Sequence, residues 1–168
     1  METPRVEGRK ASVRVAALRL LASRRLTEAQ LWSRLARKDY SSEEIHRAVA
    51  WCKSEGYLDD ALFARLYIEA RAKAIGDRRL VGELVRRGVD RDVAGETVAC
   101  CDLSEDERLR AALDAVLHRR PQASYASLAR ALERLGFPAP SIYRRLRALA
   151  SQNGFAGALA EDSPNGCE

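Results

Sequence analysis

The stretch Gly56-Tyr57-Leu58-Asp59-Asp60-Ala61-Leu62-Phe63-Ala64-Arg65-Leu66-Tyr67 decides how the rest of the chain is read. Asp59 has the chemistry of an N-cap. Its carboxylate accepts from the unpaired N–H groups of a first helical turn, and Asp60 just inside suits the positive end of the helix dipole. Leu58 and Phe63 have the spacing of a hydrophobic staple. Leu62, Phe63, Leu66, Tyr67, Ala70 and Ala74 recur at helical intervals. They predict an apolar face, opposite Arg65, Glu69 and Lys73, on a central helix reaching Ile75.

Outward from this stretch the same devices recur. Towards the N-terminus, residues 1–11 are polar and are expected to fray. A first helix is predicted from Ser12 to Ser23 on Val13, Val15, Ala16, Ala17, Leu20 and Leu21. Thr27 and Gln30 form a capping box, with Leu26 stapled to Leu31, opening a helix to about Lys38. Ser41 and Glu44 form a second box, opening a helix towards Gly56.

Leu31, Leu80 and Leu128 stand 49 and 48 residues apart, each followed four positions later by Leu35, Leu84 and Leu132. Four before them come Thr27, Gly76 and Ser124, all acceptable N-caps. Eight after them come Asp39, Gly88 and Gly136, where a tight turn favours a left-handed residue. Tyr40, Val89 and Phe137 follow directly. In the last repeat the predicted helices are 104–118, 124–135 and about 140–152, with Pro121 ending the first.

A period of about 48 residues with three helices per repeat predicts an all-α fold of three tandem three-helix repeats, at 12–58, 59–103 and 104–153. Each repeat packs mainly on its neighbours, so an elongated, curved, monomeric array is expected. Residues 154–168 form an acidic tail rich in Gly, Pro and Asn, with the composition of a flexible segment.

Composition narrows the function. The 168 residues carry a net charge of +5, and Arg outnumbers Lys 25 to 4. The first and third repeats are each +4 and the middle one −1, a balance that suits nucleic acid or a protein surface of mixed sign. No apolar run nears the roughly 20 residues of a membrane span. No apolar leader is present either, so a cytoplasmic location is expected. The four cysteines and two histidines make no zinc pattern and are read as reduced, mostly buried thiols and no metal site. Phosphate loops and nucleophile motifs are missing, so neither catalysis nor a cofactor is expected. Asp59 and Asp60 read as capping residues rather than as an acid–base or metal pair. The run Ile142-Tyr143-Arg144-Arg145-Leu146-Arg147 admits a helix-turn-helix reading, hence a stand-alone, repressor-like DNA-binding protein, beside its plainer reading as a solvated helix face.

The block Gly56-Tyr57-Leu58-Asp59-Asp60-x-x-Phe63-Ala64-x-x-Tyr67-x-x-x-Arg71 is followed by Gly76-x-x-Arg79-Leu80-x-x-Glu83-Leu84-x-x-Arg87-Gly88-Val89. Together they resemble the signature core (residues 56–89) of the RecX family, regulators of the RecA recombinase; the resemblance extends over about residues 12–152. It implies a helical, non-enzymatic protein that binds the RecA–DNA filament. There such proteins usually restrain filament growth, strand exchange, ATP hydrolysis and LexA cleavage, with at most weak DNA contact of their own. Asp39 departs from the family pattern, which more often has Gly there. Arg71, Arg78, Arg79, Arg86 and Arg87 beside the block, with Arg144, Arg145 and Arg147, are the candidate filament contacts. Arg79 also stands one turn before Glu83, and an intramolecular pair is its competing use.

Overall fold

The computed structural model describes residues 11–152. The predicted tail from 154 onwards, and all but the last residue of the frayed N-terminus, lie outside the described residues. Among the described residues the structure is entirely helical. Its α-helices are α1 (Val13–Ser23), α2 (Glu28–Ala36), α3 (Ser42–Ser54), α4 (Asp60–Arg71), α5 (Asp77–Arg86), α6 (Arg91–Ala99), α7 (Glu105–Arg119), α8 (Tyr125–Arg134) and α9 (Ala139–Gln152). One 3-10 turn, Ala72–Ala74, follows α4.

Helix starts follow side-chain chemistry. The side chains of Ser12, Thr27, Ser41, Ser104 and Ser124 each accept from the N–H three residues on. Asp59 does the same for α4, accepting from the Leu62 N–H at 2.8 Å. The Ser41–Glu44 box is complete, and Ser104–Glu107 forms another. The Thr27 box is only half made, because the Gln30 side chain donates to the Arg87 carbonyl instead of reaching back to Thr27. Gly56, at φ 73°, closes α3. Its N–H donates to Lys53 O and the Tyr57 N–H to Cys52 O, the paired bonds of a Schellman motif.

Two expectations for the central helix are corrected. The α-helix stops at Arg71, tightens into the 3-10 turn, and Ile75 is extended (φ −131°, ψ 135°). Partners distant in sequence claim this exit. The Ile75 carbonyl accepts from Arg108 Nη1 at 2.7 Å, and the Gly76 N–H donates to Leu135 O at 2.9 Å. The face is also different: Ala64, Ile68 and Ala72 are buried, whereas Leu66 and Ala70 are exposed. Eight of the twelve α4 residues are apolar, so the sequence surrounds the helix with candidate faces. Small side chains are covered where neighbours approach closely.

The described chain forms two compact units, residues 11–64 with 84–94 and residues 65–83 with 95–152. The first is built on Ala16, Ala17, Leu26, Leu31, Leu35, Ile45, Val49, Cys52 and Leu58. In the second, Leu109, Ala112, Leu113, Leu128, Ala129, Leu132, Phe137, Ile142 and Leu146 form the core. Burial of the Leu, Ile, Val and Phe side chains among them stabilises by roughly 1.5–3 kcal/mol each before entropy is subtracted. Cys52 lies in the first core, and burial pushes its thiol pKa up. Cys100 and Cys101, expected to be mostly buried, are exposed and half-buried free thiols at the end of α6. Cys167 lies outside the described residues.

Candidate partner-binding surface

Each compact unit contains a turn that completes an earlier helix start. In the first, Thr27 Oγ1 donates to the Arg87 carbonyl at 2.6 Å and Gln30 Nε2 to the same oxygen at 3.1 Å. Gly88 follows at φ 90°, and a Cβ there would lie 2.4 Å from Ala29 Cβ. In the second, the Leu135 carbonyl accepts from the Gly76 N–H at 2.9 Å, and the Arg134 carbonyl from Arg79 Nη1 at 3.0 Å. Gly136 follows at φ 92°. Asp39, at the equivalent turn of the first repeat, is left-handed too, with φ 58°.

These arrangements sort the predicted arginines. Arg79 is engaged internally: besides the Arg134 carbonyl it holds Glu83 Oε1 at 2.9 Å from Nε, the pairing expected one turn along α5. The Tyr67 hydroxyl also donates to Glu83. That hydrogen bond first, and the Arg79 bond second, hold the Glu83 carboxyl below its usual range. Arg71 lies over the Tyr67 ring, 5.7 Å from its centroid, and Arg78 is exposed. Arg144 pairs with Asp106 at 3.1 Å between two well-exposed side chains, an interaction worth little in water. Arg147 donates to the Tyr143 carbonyl at 3.4 Å, and Arg145 is half-buried. Tyr143 stacks on Tyr125 at 6.1 Å, which ties α9 to the start of α8.

Of the signature residues, Asp59 caps α4 and Leu58 and Ala64 are buried. Phe63 is half-buried, and Asp60 Oδ1 accepts from the Glu28 N–H at 2.9 Å. Burial, and next the Glu28 charge, push the Asp60 carboxyl up against that hydrogen bond. Tyr57 is 54% exposed beside Trp51, whose ring also carries the Arg14 guanidinium 4.9 Å from its centroid.

Arg86 and Arg87 meet two arginines that the sequence reading did not single out. Together with Arg34 and Arg37 they line a cleft of about 400 Å3 in the first compact unit. A signal was available: Arg37, Arg86 and Arg134 each stand six positions after the first repeat leucine. A second cleft, of about 530 Å3 in the other unit, mixes Arg65 and Lys73 with Glu69, Glu96 and Asp102, and so has no single sign of charge. Among the described residues no group of three or more His, Cys, Asp or Glu side chains is placed to hold a metal ion. No helix among them is long and apolar enough to cross a membrane.

The family model described as RecX, first three-helix domain, matches residues 14–52, and that described as RecX, second three-helix domain, matches residues 59–98. The regulatory protein RecX of Thermus thermophilus is 34% identical over 122 residues, which cover 73% of this chain and 81% of that protein. That of Cronobacter sakazakii is 31% identical over 105 residues, 56% of this chain and 64% of the relative. The crystal structure of RecX from Lactobacillus salivarius has a TM-score of 0.72 to this one, covering 83% of this chain and 95% of that chain at 16% identity, a likeness of fold alone. Sequence, fold and the residues of the central block agree, and the chain belongs to the RecX family.

Proposed function

We propose that this chain is a non-enzymatic regulator of homologous recombination and the SOS response. It binds the RecA–DNA filament in the cytoplasm, as a monomer, and restrains the recombinase, ATPase and coprotease activities of RecA. The observation that carries this reading is the 34% identity to a regulatory protein RecX across 81% of that relative's length. We also propose the division into three tandem three-helix repeats at 12–58, 59–103 and 104–153. The exposed arginines Arg71, Arg78, Arg86, Arg144 and Arg147 are the proposed filament contacts. Arg79, Arg87 and Arg145 are half-buried, the first held by Glu83 and the Arg134 carbonyl. Guanidinium groups suit both carboxylates of a protein surface and phosphates of the enclosed DNA.

The test is single-stranded-DNA-dependent ATP hydrolysis by RecA with this protein added at low molar ratio. A reduced rate is expected. No change in rate, together with tight, sequence-selective duplex binding by the protein alone, would replace this reading with that of a stand-alone DNA-binding protein.

A further inference from the structure

Gln30, Ser33, Arg34 and Arg37 have the spacing of one face of a helix, and the cleft of about 400 Å3 runs beside them. Arg86 and Arg87 close it from the end of α5, over a lining that includes Ala29 and Val85. Each of these arginines, at or near a helix C-terminus, has a local justification in the dipole. The convergence of Arg34, Arg37 and Arg86 has none, because like charges gathered in a concave site repel unless an anion joins them. Among the described residues no Asp or Glu lines it. Among the described residues the cleft is therefore a focused positive field with no carboxylate in its walls.

The shape discriminates between anions. A single nucleic-acid strand is gripped by aromatic stacking together with charge, and among the described residues no aromatic side chain lines this cleft. A duplex is far wider than a cavity of this volume. A carboxylate side chain fits on both counts: planar guanidinium forks take it bidentately, and apolar atoms of Ala29 and Val85 can cover its methylenes. We infer that the cleft of Arg34, Arg37, Arg86 and Arg87 binds an acidic, glutamate-rich peptide segment of a protein partner. The inference rests on the regulator reading for the partner's identity, while the cleft's chemistry stands apart from it.

The experiment follows the fluorescence anisotropy of a labelled hexaglutamate peptide titrated with the full chain. Saturable binding is expected, with none to the equivalent glutamine peptide. Arg37 and Arg86 are exposed, so the double variant Arg37→Glu/Arg86→Glu should keep the parent's circular dichroism and melting curve. It should weaken the peptide by about tenfold or more, as removing close charge pairs does at other interfaces. Arg37→Lys/Arg86→Lys, which keeps charge but loses the fork, should fall between. Unchanged affinity in the charge-reversed protein would overturn the inference. So would displacement of the peptide by oligothymidylate at equal or lower concentration, which would assign the cleft to phosphate. If the peptide fails to bind while RecA hydrolysis is still reduced, this inference falls and the filament reading stands. If the peptide binds and hydrolysis is untouched, the cleft stands and the filament reading falls.

Discussion

Gly56 and Gly88 have similar backbones and opposite surroundings. Both are left-handed, at φ 73° and 90°, yet a Cβ at Gly56 meets nothing within 4 Å, whereas one at Gly88 would lie 2.4 Å from Ala29 Cβ. Alanine at Gly56 incurs the left-handed strain of about 1 kcal/mol, offset by roughly 0.4–1 kcal/mol of unfolded-state entropy, so stability should change little. Gly88→Ala adds overpacking against a helix start, and a loss of more than about 2 kcal/mol is expected. Asp39, exposed at φ 58°, is the reverse case. Strain of about 1 kcal/mol and a carboxylate at the negative end of α2, costing a few tenths more, slightly exceed the entropy term. Asp39→Gly should therefore stabilise a little. Urea melts of the three variants decide the matter, and a Gly88→Ala midpoint equal to that of Gly56→Ala would remove the close approach.

Among the elements, α7 is fastened to the junction between α4 and α5 by one buried arginine. Arg108 is 2% exposed, pairs with Asp77, and donates to the carbonyls of Ile75 and Leu103. Arg108→Ala should cost about 3–5 kcal/mol in urea melts, because it leaves the Ile75 carbonyl and the Asp77 carboxylate without their donor. Asp77→Asn should cost less, since both backbone carbonyls still hold the guanidinium. A loss below about 1 kcal/mol for Arg108→Ala would show the junction to be held by apolar packing alone. The same junction marks where the sequence stops being legible. Helix starts at Thr27, Ser41, Asp59 and Ser124 could be read because a cap and its N–H lie within three residues of each other. The turns at Asp39, Gly88 and Gly136 could be read because a left-handed backbone selects its residue. The end of α4 could not: Ile75 and Asp77 find their partners Arg108 and Glu105 33 and 28 residues away. Nothing local in the sequence distinguishes Arg108 from the other bases of the chain. Nor could the arginine cleft be read from the central block, since half of it belongs to the preceding repeat.

For the molecule as a whole, two carboxylates pull stability in opposite directions with pH. The Asp60 carboxyl is pushed up in the fold, so its contribution is fully present below its unfolded pKa and is lost as pH rises through the folded value. The Glu83 carboxyl is pulled down, so its contribution is present above its unfolded pKa and is lost as pH falls through the folded one. Asp60→Asn, which keeps an acceptor for the Glu28 N–H, should melt higher than the parent at neutral pH, and the gap should close in acid. Glu83→Gln should melt lower at neutral pH, its gap also closing in acid. Parallel melting curves for either variant from neutral pH to acid would contradict the corresponding shift. The bond from Thr27 to Arg87 has a consequence of another kind, in time. Its partners are 60 residues apart. At synthesis rates of roughly 5–20 residues per second, Thr27 is made about 3–12 seconds before its acceptor exists. The cap at the start of α2 is therefore complete only once the chain has grown past Arg87, so this helix start waits on residues from beyond α5.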